Sequence, residues 1–271
     1  MVGLTQKALA RVLELKHARD DAVVLVDSTV ARISELRRLL PHNRPDAASI
    51  EFEISRLQGH LMDHKQHADA LVQLLAQVGA FQETLKHDVV DAKHVRVRLD
   101  RGETILSAIA DARKRIADID AELRKVRHAS PTREEQKAAC DAWLDNLPRD
   151  ARPRINASNH GKFSVAFSDP ASYTTKLPIA AILNFVIPDQ FRESLHAEID
   201  RQPEPALVMS AEDKAKAIAE LRAELLAQER REVELQRMAE REGQRIVYRP
   251  FVSAFALLGL ELKDKDVAKA A

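Results

Sequence analysis

His60, His64 and His67 stand four and three residues apart, a spacing that gathers three imidazoles on one side of a helix, as a zinc or nickel site requires. In the helix pairing derived below, their neighbours are Arg32, Val26 and Leu25, whereas Asp21, Asp27 and Asp63 point away from the seam. A cation set beside arginine and lacking a carboxylate is poorly served, so the trio reads as ordinary seam and flank residues and no metal is expected. His64, on the seam itself, would make the pairing mildly acid-sensitive, because a protonated imidazole there must be desolvated.

A second constellation is basic. Arg149, Arg152, Arg154, His160 and Lys162 surround a turn containing Asn156, Ser158 and Asn159, with Asp150 as the opposing charge and Phe163, Phe167 and Tyr173 close in sequence. Guanidinium groups over free backbone amides suit a phosphate, and an adjacent ring could stack a base, so these five are the candidate phosphate or nucleic-acid contacts. The competing interpretation is a solvated loop whose arginines fold over a small domain and whose rings form its core. Cys140 has His128 and Asp141 near it in sequence, but it shares a short helix with Trp143 and Leu144 and reads as a small core residue. No glycine-rich phosphate loop, nucleophile elbow or metal-spaced cluster occurs, so neither catalytic residues nor a cofactor are expected.

Composition narrows the class further. Of 271 residues 31% are charged and 4% aromatic, with seven glycines, proportions that suit long helices better than a large globular core. The 42 basic and 42 acidic side chains cancel, which leaves no overall field to draw the chain onto nucleic acid or anionic lipid. A single cysteine and a start without an apolar leader core point to the cytoplasm. The longest apolar stretches, 178–188 and 251–262, are too short to span a bilayer, so no membrane association is expected.

The elements follow from periodicity. From Ile50 to Leu99 the chain keeps a spacing of four then three, through Ile54, Leu57, Leu61, His64, Ala68, Leu71, Leu75, Val78, Leu85, Val89 and Ala92. A repeat of 3.5 residues marks a helix whose seam faces another helix along its length. A first helix, about 5–40, carries its own seam through Ala8, Val12, Leu15, Ala22, Val26, Ile33 and Leu36 and is stopped by Pro41 and Pro45; Ser49 is positioned to cap the next. The short connection predicts antiparallel neighbours, layering Leu36 on Ile54, Ile33 on Leu57, Val26 on His64 and Val12 on Val78. Leu9, Val23, Leu25 and Val30 widen the stripe of this first helix, and a second copy of the chain is the economical occupant of that face.

A slip of register at Arg101-Gly102 separates the second helix from a third, about 103–128, either as a kink in a continuous spine or as a short break. Ser130 and Pro131 are placed to open a short helix reaching Leu147. Seven of the eleven prolines then fall between Pro148 and Pro205, where the heptad is lost; alternating Phe163, Val165 and Phe167 predict a strand paired with 154–157, followed by two short helices. Ser210 caps a last long helix, 210–248, whose seam layers against the third helix, Ile119 on Leu225 and Ile109 on Leu235. Beyond Pro250 the segment FVSAFALLGLEL is apolar all round; it either docks within its own chain or oligomer or plugs a partner, with Phe251, Phe255 and Leu258 as candidate contacts.

The expected fold is mainly α: elongated antiparallel coiled-coil hairpins over 1–128, a small α+β head over 129–209 inserted between the long helices, a returning helix over 210–248 and an apolar docking segment over 249–271. The expected function is a non-enzymatic, self-associating scaffold or spacer that presents the head to a protein partner. A homodimer is favoured, and Leu9, Val23, Leu25 and Val30 join the C-terminal residues as candidate oligomer contacts. The alternatives are a nucleic-acid accessory protein gripping phosphate through the basic head, and an enzyme with its site on that head.

Overall fold

Thr5 sets the start of the first helix: its hydroxyl accepts a hydrogen bond from the Ala8 amide at 3.2 Å, satisfying one of the donors a helix start leaves bare. The same hydroxyl donates to Asp91 at 2.5 Å, tying this end to a distant strand. The structure is a computed structural model and describes residues 3–42, 46–147, 154–157, 163–166 and 179–263, of which 42, 154–157 and 163–166 are described by backbone alone. The chain is mainly helical. Its helices are α1 (Gln6–Leu39), α2 (Ala47–Thr84), α3 (Ile105–Arg127), α4 (Arg133–Asp145), α5 (Ile179–Val186), α6 (Pro188–Arg201), α7 (Ala211–Arg241) and α8 (Ala254–Leu258). Among the described residues four short strands, β1 (Val89–Asp91), β2 (Arg154–Ala157), β3 (Phe163–Ala166) and β4 (Leu260–Leu262), form two antiparallel pairs, β1 with β4 and β2 with β3.

The chain divides into two compact units. Unit 1 comprises Met1–Ala121 with Leu221–Ala271, and unit 2 comprises Glu122–Glu220. In unit 1, α1 packs on α2 and both meet α8. One apolar core joins Ala8, Val12, Leu15 and Ala22 of α1, Ala68, Leu71, Leu74 and Val78 of α2, Val233 of α7, and Tyr248, Val252, Leu257, Leu258 and Leu260 of the C-terminal segment. A smaller cluster places Ile105, Ala108 and Ile109 of α3 on Leu235 and Ala239 of α7. A third layer on α1 and α2 explains why Leu74, off the heptad seam, is fully buried while Leu75, on it, is half-buried: two faces to cover require a stripe wider than a coiled-coil seam. In unit 2, α4 packs on α6 through Lys137–Asp200 at 2.8 Å and His196–Asp141 at 3.0 Å, while Leu144 and Ala181 are its most buried apolar residues. Ser130 pairs with Val208 in a parallel bridge at the base of this unit.

Several boundaries depart from the periodic pattern, each for a local reason. The helix expected over 49–100 stops at Thr84. Beyond it Val89, Val90, Val95 and Val97 are β-branched, and from Val95 to Asp100 half-buried and exposed residues alternate, so a period of two overrides the weaker heptad there. β1 then pairs Val89 with Leu262 and Asp91 with Leu260. No continuous spine passes Gly102: the Glu103 amide donates to the Asp100 carbonyl at 3.0 Å, and Gly102 takes the turn position needing positive φ, here 90°. Ser49 lies inside α2, which opens after Asp46 without a side-chain cap. Thr132, rather than Ser130, caps α4: its hydroxyl accepts from the Glu135 amide at 3.2 Å and Glu135 accepts from the Thr132 amide at 3.1 Å. The helix expected to reach 248 ends at Arg241, because Gly243 at φ 75° lets Gln244 donate to Ala239 at 2.9 Å and Gly243 to Glu240 at 3.0 Å, a Schellman closure.

Candidate functional site

α1 has two faces. Its seam buries Ala8, Val12, Leu15, Ala22, Ile33 and Leu36, and the flank one residue on leaves Leu9 at 44%, Val23 at 41% and Val30 at 42% exposed, with Leu13 and Val24 exposed beside them. Leu25 is half-buried and lines a 390 Å³ hollow with His67 and Arg245. Of the C-terminal candidates, Phe251 is 81% exposed and Leu258 is 1% exposed. Phe255 packs edge-on against Phe81 with ring centroids 5.1 Å apart. Leu258 therefore faces this chain's own core and is not a surface contact. Phe251 adopts φ 62°, a left-handed conformation that costs a side-chain-bearing residue roughly 1–2 kcal/mol. The Pro250-Phe251 step turns the chain so that the next residue, Val252, enters the core.

The basic turn lies outside the described residues at Arg149, Arg152, His160 and Lys162, and Arg154 is described by backbone alone, as the first residue of β2. His60 and His64 stack, ring centroids 6.4 Å apart, while His67 is half-buried with its Nδ1 unpartnered. Among the described residues no group of three histidine, cysteine or acidic side chains is arranged to hold a metal ion. Cys140 sits half-buried on α4 and burial raises its thiol pKa, with Asp141 adding to the effect.

Burial pushes the His67 imidazole below its ordinary 6.5, and the Arg245 charge adds to this. His67 is then neutral in the fold and protonates more readily in the unfolded chain. Its contribution to stability is complete above pH 6.5 and is lost as pH falls from there through the folded value. Thermal unfolding between pH 7.5 and 5 is expected to fall more steeply for the native chain than for His67→Gln; parallel curves would contradict it.

Heptad reasoning missed the charged girdle of α7. Glu232 is wholly buried, accepting from Arg113 Nε at 2.8 Å and Arg249 Nε at 3.3 Å, and Arg249 also donates to Glu229 at 2.7 Å. Burial pushes the Glu229 carboxyl up, against the pull of Arg249. Arg11 donates to the Tyr248 hydroxyl at 2.7 Å, and that hydroxyl donates to Glu240 at 2.5 Å; burial drives its pKa well above the ordinary tyrosine value. Arg230 reaches the Leu260 carbonyl at 2.8 Å and Glu261 at 2.9 Å, and Arg237 reaches the Leu257 carbonyl at 3.2 Å. These bonds fasten segment 247–262 to α7. The sequence signal was the run QERREVELQRMAER followed by an apolar tail, charges too dense for a solvated face beside a segment that must be covered. No protein-family model, curated protein or solved structure matches this chain.

Proposed function

We propose that the chain is a non-enzymatic, self-associating coiled-coil scaffold or spacer. In this reading α1 and α2 form an antiparallel coiled-coil hairpin, unit 2 serves as the head offered to a protein partner, and a second copy packs on the exposed apolar flank of α1. The observation that carries it is the exposure of Leu9, Val23 and Val30 along the flank of a helix whose seam, at Ala8, Ala22 and Thr29 beside them, is already buried. Three residues in register at multiples of seven are self-complementary about a two-fold axis, which favours a second copy over an unrelated occupant. Lys16 interrupts the row, as a single polar residue does where register must be fixed.

Mass measured in solution across a concentration series is expected to give a dimer that dissociates on dilution. The triple variant Leu9→Glu, Val23→Glu, Val30→Glu is expected to be a monomer with unchanged helical circular dichroism. A native chain that stays monomeric at every concentration, or a variant that remains dimeric, overturns the reading.

A further inference from the structure

Unit 1 holds a small, partly open cavity of about 50 Å³ in which five cationic side chains meet an apolar wall. Lys7 and Arg11 enter it from α1, Lys93 and His94 from the stretch after β1, Arg230 and Arg237 from α7, and Glu234 is its acidic residue. Ala256, Leu258 and Gly259 close the apolar side. A buried water occupies roughly 10–15 Å³ of such space, so the cavity has room for about four, the bulk of one tetrahedral oxyanion.

The charges here are incompletely compensated. Arg11 is bound by Glu14 at 2.9 Å and lies 3.7 Å from Glu240, Arg230 is bound by Glu261 at 2.9 Å, and Glu234 is shared by Arg237 at 3.5 Å, His94 at 3.5 Å and Arg241 at 4.0 Å. Lys7 and Lys93 are both exposed at the surface and, among the described residues, neither is held in an ion pair. Even with every carboxylate that binds the lining arginines counted, the lining keeps an excess of positive charge. The Nε groups of Arg11 and Arg230 are buried and donate to nothing among the described residues. A buried N–H without an acceptor costs about 1–3 kcal/mol. Burial pushes the Arg237 guanidinium down and the neighbouring Arg11 charge adds to it, while Glu14 and Glu240 help to hold Arg11 up.

We infer that this cavity is a binding site for one tetrahedral oxyanion of the phosphate or sulfate class, held by Lys7, Arg11, Lys93, Arg230 and Arg237. Donors converge on it from three separate segments of chain, which suits an acceptor with oxygens in several directions better than a planar carboxylate. Because the site joins α1 and α7 to the stretch after β1, an occupying anion would also cross-link the elements on which the C-terminal segment rests.

The test is calorimetric titration of the full chain with inorganic phosphate at constant ionic strength, with chloride as the balancing ion. Saturable one-to-one binding is expected, weakened about tenfold or more in Lys7→Ala, Lys93→Ala, whose exposed positions leave the fold intact. Phosphate also stabilises proteins by exclusion from their surface, an effect that raises the melting temperatures of both chains equally, so the difference between chains is the readout. Glycerol phosphate as a second titrant separates sources: binding of both assigns the site to a phosphoryl group at large, and binding of inorganic phosphate alone assigns it to the free ion. Absence of saturable heat with either titrant, or undiminished binding by the double variant, overturns the inference.

Discussion

Replacing Glu232 by alanine is expected to destabilise unit 1 by on the order of 3 kcal/mol in urea unfolding. Its carboxylate is fully buried and accepts from two guanidinium groups, Arg113 and Arg249, the second only 21% exposed at its side chain. Removing it leaves Arg113 without its carboxylate and Arg249 with Glu229 alone, so part of the desolvation already spent on the two guanidinium groups is no longer offset. It also cuts two hydrogen bonds that lead to the C-terminal segment, because Arg113 donates to the Val247 carbonyl at 2.6 Å as well. Glu224 provides the comparison. It binds Arg115 at 2.5 Å with both side chains substantially exposed, and Glu224→Ala is expected to cost under about 1 kcal/mol. Equal losses from the two substitutions would mean that the girdle is a surface feature with no structural role.

The second expected result is larger in total. Ending the chain at Pro250 should abolish the cooperative unfolding of unit 1 and produce a state that retains helical circular dichroism while binding a hydrophobic dye. The deletion removes Val252, Leu257, Leu258 and Leu260, all buried in the core shared with α1 and α2. Each large aliphatic side chain lost from a core costs about 2–5 kcal/mol, so the three leucines together rival the whole stability of an ordinary domain, about 5–15 kcal/mol. β1 loses its partner strand, and Phe81 loses Phe255. A truncated chain that unfolds in one sharp transition near the native melting temperature would show that the segment is an ornament on a hairpin that stands by itself.

What could be seen in advance depended on how locally each element is specified. Helical character was legible along α1, α3 and α7 because an apolar stripe at helical spacing is written into consecutive turns, and the start of α7 at Ser210 because Asp213 donates its amide to that hydroxyl at 3.0 Å. Ends were harder. Gly243 is a helix stop recognisable only when the two bonds of the Schellman closure are considered together, and Thr132-x-x-Glu135 competed with the more conspicuous Ser130-Pro131 pair. The stretch after Thr84 satisfied both a heptad and an alternation of two, and the decision was made elsewhere, by a strand more than 160 residues away in the sequence. The charged girdle was the least legible part. Glu232 lies in a run of charges that a heptad leaves unexplained, and Arg113 and Arg249 converge on it from segments that no single stretch of sequence brings together. The basic turn at 149–162 is legible as chemistry, but only Arg154 of its candidate contacts belongs to an element with a described backbone.

The pairing of Val89–Asp91 with Leu260–Leu262 has a consequence for how the chain is born. Synthesis delivers all of unit 2 before α7 is complete and before the closing strand exists, so the larger, earlier part of unit 1 waits with Leu71, Leu74 and Val78 lacking the C-terminal segment that packs on them. Loop closure over so long an interval is slow, which makes the interval before Leu260–Leu262 emerge the time when α1 and α2 are most open to holdase chaperones or to a neighbouring nascent copy.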